Sequence, residues 1–337
     1  MSEVLLDIDD LTVEFPTKTG SVRAVNEVGF QLRERERLGL VGESGSGKSM
    51  TLLTILGLLP TTARIASGRV LYRDRDLLTL TARDKRRIRG RDIAMIFQDP
   101  MTTMNPVFKV GEQVREALRV HDMIPGAYAP LLDGRRKALE RKRVLELMSE
   151  VGIPSPEERY EAYPHEFSGG MQQRAMIAVA LACNPRILLA DEPTTALDVT
   201  VQAQIMTLLN RISQDHNTAT ILVTHDLSLA AEFCDSLAVM YGGRIVESGQ
   251  VDEVIDTPKH PYTMGLLAAL PKLEPGTQHE VHPIPGEVDM ARLPPGCPFA
   301  PRCERAMPHC SERMPAVTHF SGTHETRCFL YEEAPGG

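Results

Sequence analysis

Gly42-Glu43-Ser44-Gly45-Ser46-Gly47-Lys48-Ser49 lies between an apolar run, Leu38 to Val41, and a helix-like run, Thr51 to Leu59. It reads G-x-x-x-x-G-K-S. Glycines let the backbone turn its N–H groups inward around an anion, a lysine after the last glycine can reach the β- and γ-phosphates of a nucleotide, and a serine hydroxyl can ligate Mg²⁺. A helix starting there adds partial positive charge at the same point. Gly42, Ser44, Gly45, Gly47, Lys48 and Ser49 are therefore candidate nucleotide-binding residues. The plain alternative is a glycine turn without a ligand.

Arg186-Ile187-Leu188-Leu189-Ala190-Asp191-Glu192 is an unbroken apolar run that ends in two carboxylates. Such a run suits a parallel strand covered on both faces. Its C-terminal end falls where open α/β sheets bind ligands. There Asp191 is placed to hold Mg²⁺, and Glu192 to orient or deprotonate the attacking water. Capping of the next helix is the other use for the pair.

Between these stretches lies Phe167-Ser168-Gly169-Gly170-Met171-Gln172-Gln173-Arg174. Alone it is a flexible turn with an N-cap. Gln98 closes the strand-like Asp92 to Phe97, Ala196-Leu197-Asp198 follows the carboxylate pair, and His225 closes the strand-like Ile221 to Thr224. Taken in order with the two stretches above, these resemble the markers of ATP-binding cassette (ABC) proteins: phosphate loop, Q-loop, signature, D-loop and switch histidine. Where that family usually has Leu and Gln in the signature, this chain has Phe167 and Met171, with Gln172 one position later.

The resemblance implies an α/β fold of the P-loop NTPase (RecA-like) type. It implies an ABC nucleotide-binding domain over residues 1–255 with an antiparallel β-subdomain and a helical subdomain at about 99–185. It also implies that Ser168, Gly169 and Gly170 act on ATP bound by a partner copy, that Asp198 adds to ATP binding, that Gln98 adds to the Mg²⁺ and water site, and that His225 serves catalysis. An adenine-stacking aromatic precedes the phosphate loop in the family. Phe15, ahead of Pro16-Thr17-Lys18-Thr19-Gly20, is the candidate, since a ring face stacks on a base; a core position is its alternative.

The local patterns agree with this organisation. Residues 3–37 alternate like antiparallel strands, with a further β excursion at Gly68 to Asp76. Val110 to His121, Ala138 to Val151 and Gly170 to Cys183 read as helices, and Val144, Leu145, Leu147, Met148 and Val151 form a core-facing helical stripe. Ser236 to Tyr241 and Arg244 to Glu247 around Gly242-Gly243 read as a hairpin.

After residue 256 proline becomes dense, including Pro271, Pro275 and Pro283, and four of the six cysteines gather as Cys297-x5-Cys303-x6-Cys310-x17-Cys328. No signal peptide is visible, which argues against a disulfide framework. A metal site is the expected use. The spacing lacks the close C-x2-C pairs of common zinc ribbons, and four thiolates also suit an iron–sulfur cluster. Cys183 and Cys234 lie in helix-like segments and read as core.

His260-Pro261-Tyr262-Thr263, Ile284-Pro285-Gly286 and Gly296-Cys297-Pro298-Phe299-Ala300-Pro301-Arg302-Cys303 resemble the C-terminal extension of dipeptide/oligopeptide permease ATPases, as do Tyr163 to Phe167 and Phe97 to Pro106. That resemblance implies a Cys/Pro-rich extension over 256–337 that holds a [4Fe–4S] cluster, with zinc or free thiols as alternatives. It further implies an importer for peptides or related small solutes. The implied partners are a second ATPase chain, commonly a paralogue, two transmembrane permease subunits and an extracytoplasmic solute-binding protein. The phosphate loop is expected to pack separately from this tail.

Composition bounds the alternatives. Net charge is −8, Trp is absent and aromatics are 5% of 337 residues, so no nucleic-acid surface is indicated. Arg135-Arg136-Lys137 with Arg141-Lys142-Arg143 reads as a solvated helix face. No apolar run is long enough to span a bilayer, so attachment at the cytoplasmic face of a membrane would come through partners. A non-transport ABC ATPase of DNA repair or translation would carry tandem cassettes, coiled coils or basic insertions, which are not seen. A regulatory module without turnover would not need Glu192 and His225.

Overall fold

The computed structural model describes residues 3–18, 20–124, 133–195, 197–270, 284–320 and 322–332. Thr19, Ala196, Pro271, Pro275 and Pro283 therefore lie outside the described residues. Contacts divide the chain into two units, Met1–Thr79 with Leu222–Gly337, and Leu80–Ile221.

The first unit opens with β1 (Val4–Thr17) and β2 (Gly20–Arg33), an antiparallel pair, then β3 (Arg37–Val41), α1 (Lys48–Leu56), β4 (Arg64–Tyr72) and β5 (Arg75–Asp76). One sheet runs β2-β1-β4-β5. Its alternating apolar residues, among them Leu6, Ile8, Leu11 and Leu32, are fully buried, as a one-sided antiparallel sheet requires. The excursion expected from Gly68 begins earlier, at Arg64. Gly68 (φ 99°) instead sits inside β4 where the register with β1 slips, and a Cβ there would lie 2.5 Å from Leu11 Cα. The close approach of two backbones demands glycine. Helix α1 likewise starts at Lys48 rather than Thr51. It stops before Gly57, whose φ is 61° and whose N–H bonds to the Leu53 and Thr54 carbonyls. That is a left-handed C-cap.

The second unit contains α2 (Ala82–Ile88), β6 (Ile93–Ile96), α3 (Pro100–Thr103), α4 (Val110–Val120), α5 (Asp133–Glu150), α6 (Pro156–Tyr160), α7 (Gly169–Leu181), β7 (Ile187–Asp191), α8 (Val199–His216) and the first half of β8 (Ala219–Thr224). Strands β6 and β7 are parallel and wholly buried, which is why their sequences show no alternation. Helices α4, α5, α6 and α7 pack on one another. Val144, Leu147, Met148 and Val151 recur on one face and are fully buried. The basic cluster is only partly a solvated face: Arg135, Lys137 and Lys142 are exposed, whereas Arg136 pairs with the buried Glu140, and the half-buried Arg141 and Arg143 pair with Glu161 and Glu146.

The chain then returns to the first unit as α9 (Leu227–Phe233), β9 (Ser236–Tyr241), β10 (Arg244–Gln250), α10 (Val251–Asp256), α11 (Pro261–Ala268), β11 (Thr318–His319) and β12 (Glu325–Thr326). Strand β3 runs parallel to β9, and β10 joins β9 as an antiparallel hairpin. Its turn residues Gly242 and Gly243 have φ of 55° and 81°. A tight two-residue hairpin turn needs positive φ at both positions. The tail is stitched to this hairpin: β12 pairs with β10, and the fully buried Glu247 carboxylate accepts from the Lys259 and His260 N–H groups and meets His324 Nε2 at 2.8 Å.

Candidate functional site

In the first unit, β3 delivers the chain into the glycine loop. A Cβ at Gly42 would lie 2.1 Å from the Met240 carbonyl oxygen, and at Gly47 2.2 Å from that of Ala24. Both residues also have positive φ, so shape and space alike admit only glycine. Lys48, 4% exposed, donates from Nζ to the Gly42 and Glu43 carbonyls at 2.7 and 2.8 Å. The ammonium is thus enclosed by the loop it follows. Ser49 stands in the first turn of α1, while Ser44 and Gly45 are exposed at the loop's tip.

Two tail residues, absent from the site read out of the sequence, hold this loop. Tyr262 Oη accepts from the Glu43 N–H at 2.8 Å, and Arg302 grips the Glu43 carboxylate at 2.6 and 3.0 Å. The expected separate packing of phosphate loop and tail is therefore corrected: chain folding brings residues more than two hundred positions apart into direct contact. Both residues stood inside tail motifs; nothing local marked what they touch. Phe15 is half-buried on β1 opposite Val22, and His225 is exposed just after β8, before Asp226 caps α9 through the Ser228 and Leu229 N–H groups.

In the second unit, Gln98 lies just beyond β6, Asp191 is the last residue of β7 and Glu192 follows it. Asp191 is 7% exposed. Glu192 has a φ of 43°. This left-handed conformation is rare outside glycine and often kept at functional positions. Its Oε2 accepts from Gln98 Nε2 at 3.2 Å and from Thr195 Oγ1 at 2.8 Å. Gln98 and Glu192, 94 positions apart, are thus brought together. Thr195 was missed; its hydroxyl, three residues on in a turn, was the available signal.

Ser168 is the N-cap of α7, with Oγ accepting from the Met171 N–H at 3.4 Å, so the signature glycines form the first turn of a helix. Gln172 does not take the place of the usual signature glutamine. It is 6% exposed and donates to the Pro164 and Phe167 carbonyls, bracing the preceding turn. Asp198 caps α8, accepting from the Val201 N–H at 2.9 Å.

All six cysteines are free thiols. Burial pushes Cys183 up to about 11 and raises Cys234, as befits inert core thiols. Cys297, Cys303, Cys310 and Cys328 line one small cavity walled by Phe299 and Phe329. Burial pushes the Cys297 thiol up to about 12 and also raises Cys303 and Cys328. Among the described residues no group of three or more His, Cys, Asp or Glu side chains is set to hold a metal ion.

The ABC transporter family matches residues 25–195, and the oligopeptide/dipeptide transporter C-terminal region matches residues 246–310. The oligopeptide transport ATP-binding protein OppD of Salmonella typhimurium is 47% identical over 97% of this chain and 94% of its own length. The dipeptide transport ATP-binding protein DppD of Bacillus subtilis is 46% identical over 98% and 96%. A dimeric post-hydrolysis structure of the ATP-binding cassette MJ0796 bound to ADP and Pi superposes with a TM-score of 0.63 at 28% identity, covering 73% of this chain and 98% of that one. The chain belongs to the ABC transporter family, within the branch that carries the oligopeptide/dipeptide C-terminal region. It is an ATPase subunit of that family, with ATP and Mg²⁺ as substrate and cofactor. Among the described residues no helix is long and apolar enough to cross a membrane.

Proposed function

We propose that this chain powers an importer for peptides or related small solutes from the cytoplasmic face of a membrane. Residues 1–255 form the nucleotide-binding domain, and 256–337 the extension. The observation that carries the reading is Glu192, held in a left-handed backbone with its carboxylate fixed by Gln98 and Thr195 beside Asp191. Glu192 takes the proton of the attacking water, Gln98 orients that water, and His225 steadies charge developing on the γ-phosphate. The loop from Gly42 to Ser49 wraps the phosphates, with the Lys48 ammonium paired to them. Ser49, Asp191 and Gln98 are the residues that would hold Mg²⁺, which would supply positive charge against the phosphate. Phe15 stacks on adenine.

Ser168, Gly169 and Gly170 face ATP held by a second ATPase chain, a paralogue or a second copy, so that ATP closes the pair, and Asp198 adds to ATP binding. Closure is passed to two transmembrane permease subunits, and an extracytoplasmic binding protein selects the cargo. Cys297, Cys303, Cys310 and Cys328 are the residues that would hold a [4Fe–4S] cluster, with zinc as the second candidate. What supports the reading is that the four thiols line one apolar cavity and that sulfur donors are the type either centre takes; among the described residues they are not set as a metal-ion group.

Glu192→Gln tests the chemistry. It keeps ATP binding but slows hydrolysis by about two orders of magnitude or more, because an amide cannot accept the water's proton. Turnover near the parent rate in the assembled transporter would remove Glu192 from this role.

A further inference from the structure

Glu43 occupies a variable position of the phosphate loop, yet each of its polar groups is engaged. Its N–H donates to Tyr262 Oη, its carbonyl accepts from Lys48 Nζ, and its carboxylate is held by both terminal nitrogens of Arg302. A carboxylate next to a site for a polyanion repels it. Arg302 neutralises that charge and fixes it in a bidentate fork, the geometry an arginine gives best.

Arg302 is in turn built into the extension. It ends the 3₁₀ turn Ala300–Arg302, and its side chain is 8% exposed. Nε donates to the Pro285 carbonyl at 2.8 Å, and Nη1 to Tyr241 Oη at 3.2 Å. Behind it the rings of Tyr241, Tyr262 and Phe299 meet one another with centroids 4.6, 5.1 and 5.3 Å apart. They shield the guanidinium, while the Glu43 side chain keeps 29% exposure. Two separate pieces of the extension, α11 and this turn, thus converge on one peptide of the phosphate loop.

We propose that Arg302 and Tyr262 are positioning residues of the ATP site: through Glu43 the extension sets the phosphate loop in its anion-accepting form. The proposal rests on the phosphate loop being the ATP site. ATP affinity then depends on the order of the extension, and by reciprocity bound ATP must tighten the extension. A mere tether would hold the two parts together without either consequence.

The test uses the full chain assembled with its partner subunits, and ATP with Mg²⁺. Arg302→Gln and Tyr262→Phe raise the KM for ATP about fivefold or more while kcat stays within about twofold, since the chemistry lies elsewhere. Adding Glu43→Gln to Arg302→Gln recovers part of the affinity, because the unpaired carboxylate is then gone. A β,γ-imido analogue of ATP slows amide hydrogen exchange at residues 299–303 in the parent and not in Arg302→Gln. Unchanged KM with a lowered Tm in both variants would overturn the proposal. Should Arg302→Gln fail to fold, Tyr262→Phe decides alone, as it removes a single hydroxyl. Lys48→Ala separates the two readings. If it binds ATP as the parent does, the site assignment fails; if it loses ATP while the Arg302 and Tyr262 variants keep it, only the brace fails.

Discussion

Lys48 is the residue on which nucleotide binding turns. Its ammonium is buried over the Gly42 and Glu43 carbonyls, so the charge is already desolvated and aimed before a nucleotide arrives. Lys48→Ala removes charge-assisted hydrogen bonds to phosphate, and ATP affinity measured by calorimetry with Mg²⁺ falls by about two orders of magnitude or more. A different residue adds to acid sensitivity. Burial lowers the His260 imidazole to about 3, and its Nδ1 accepts from the Tyr262 N–H at 3.1 Å, which demands the neutral ring. The unfolded chain protonates this histidine below about 6.5. Between about 6.5 and about 3 the unfolded state therefore binds the extra proton, and stability falls as pH falls, by about 1.4 kcal/mol per pH unit. Denaturant titrations at about pH 7 and about pH 5 measure this slope, and His260→Asn, which keeps a capping acceptor, makes it shallower.

At the scale of elements, the start of α7 carries the sharpest distinction. Its two glycines look equivalent in the sequence. A Cβ at Gly169 would meet only Leu197 Cδ2 at an ordinary 3.7 Å, whereas at Gly170 it would press on Val201 Cγ1 of α8 at 2.8 Å. A larger residue at Gly170 therefore strains its own chain before any partner is reached, costing about 1–3 kcal/mol. Gly169 is the clean probe of action across a dimer. Gly169→Leu keeps the Tm and the monomer's own ATP binding but blocks ATP-driven dimerisation in light scattering; Gly170→Leu lowers the Tm as well. Loss of monomer ATP binding in Gly169→Leu would remove the signature turn from its role in trans.

At the scale of the whole molecule, the extension is continuous with the first unit: β12 pairs with β10, Glu247 gathers Lys259, His260 and His324, and Arg302 reaches Glu43. A proline-rich tail has little core of its own, so a metal centre would supply much of its order. Protein purified without oxygen is expected to be brown, absorbing near roughly 400 nm with about four irons per chain. Cys303→Ser bleaches the colour and loosens residues beyond about 285. Because Arg302 precedes Cys303, it also weakens ATP binding, short of abolishing it while Lys48 remains. Stoichiometric zinc without iron would replace the cluster by a zinc site, and absence of both metals would reject the centre.

How much was legible follows from the range of each interaction. The phosphate loop, the strand ending in Asp191 and the cap Ser168 were readable because backbone conformation there is set by residues a few positions apart: glycines at forced φ, unalternated apolar runs, a side chain that caps its own helix. Helix ends were misplaced by a few residues: Gly57 ends α1 in a left-handed turn, a stop that the glycine and the following Pro60 could have signalled. The amino-acid sequence by itself determined the class of fold, the order of its motifs and the chemistry their side chains can perform. Only the tertiary structure decided that Gln98 meets Glu192 and that Arg302 and Tyr262 hold Glu43. Those pairings depend on packing between segments distant along the chain, and a hydrogen bond between such segments leaves no periodicity in either one.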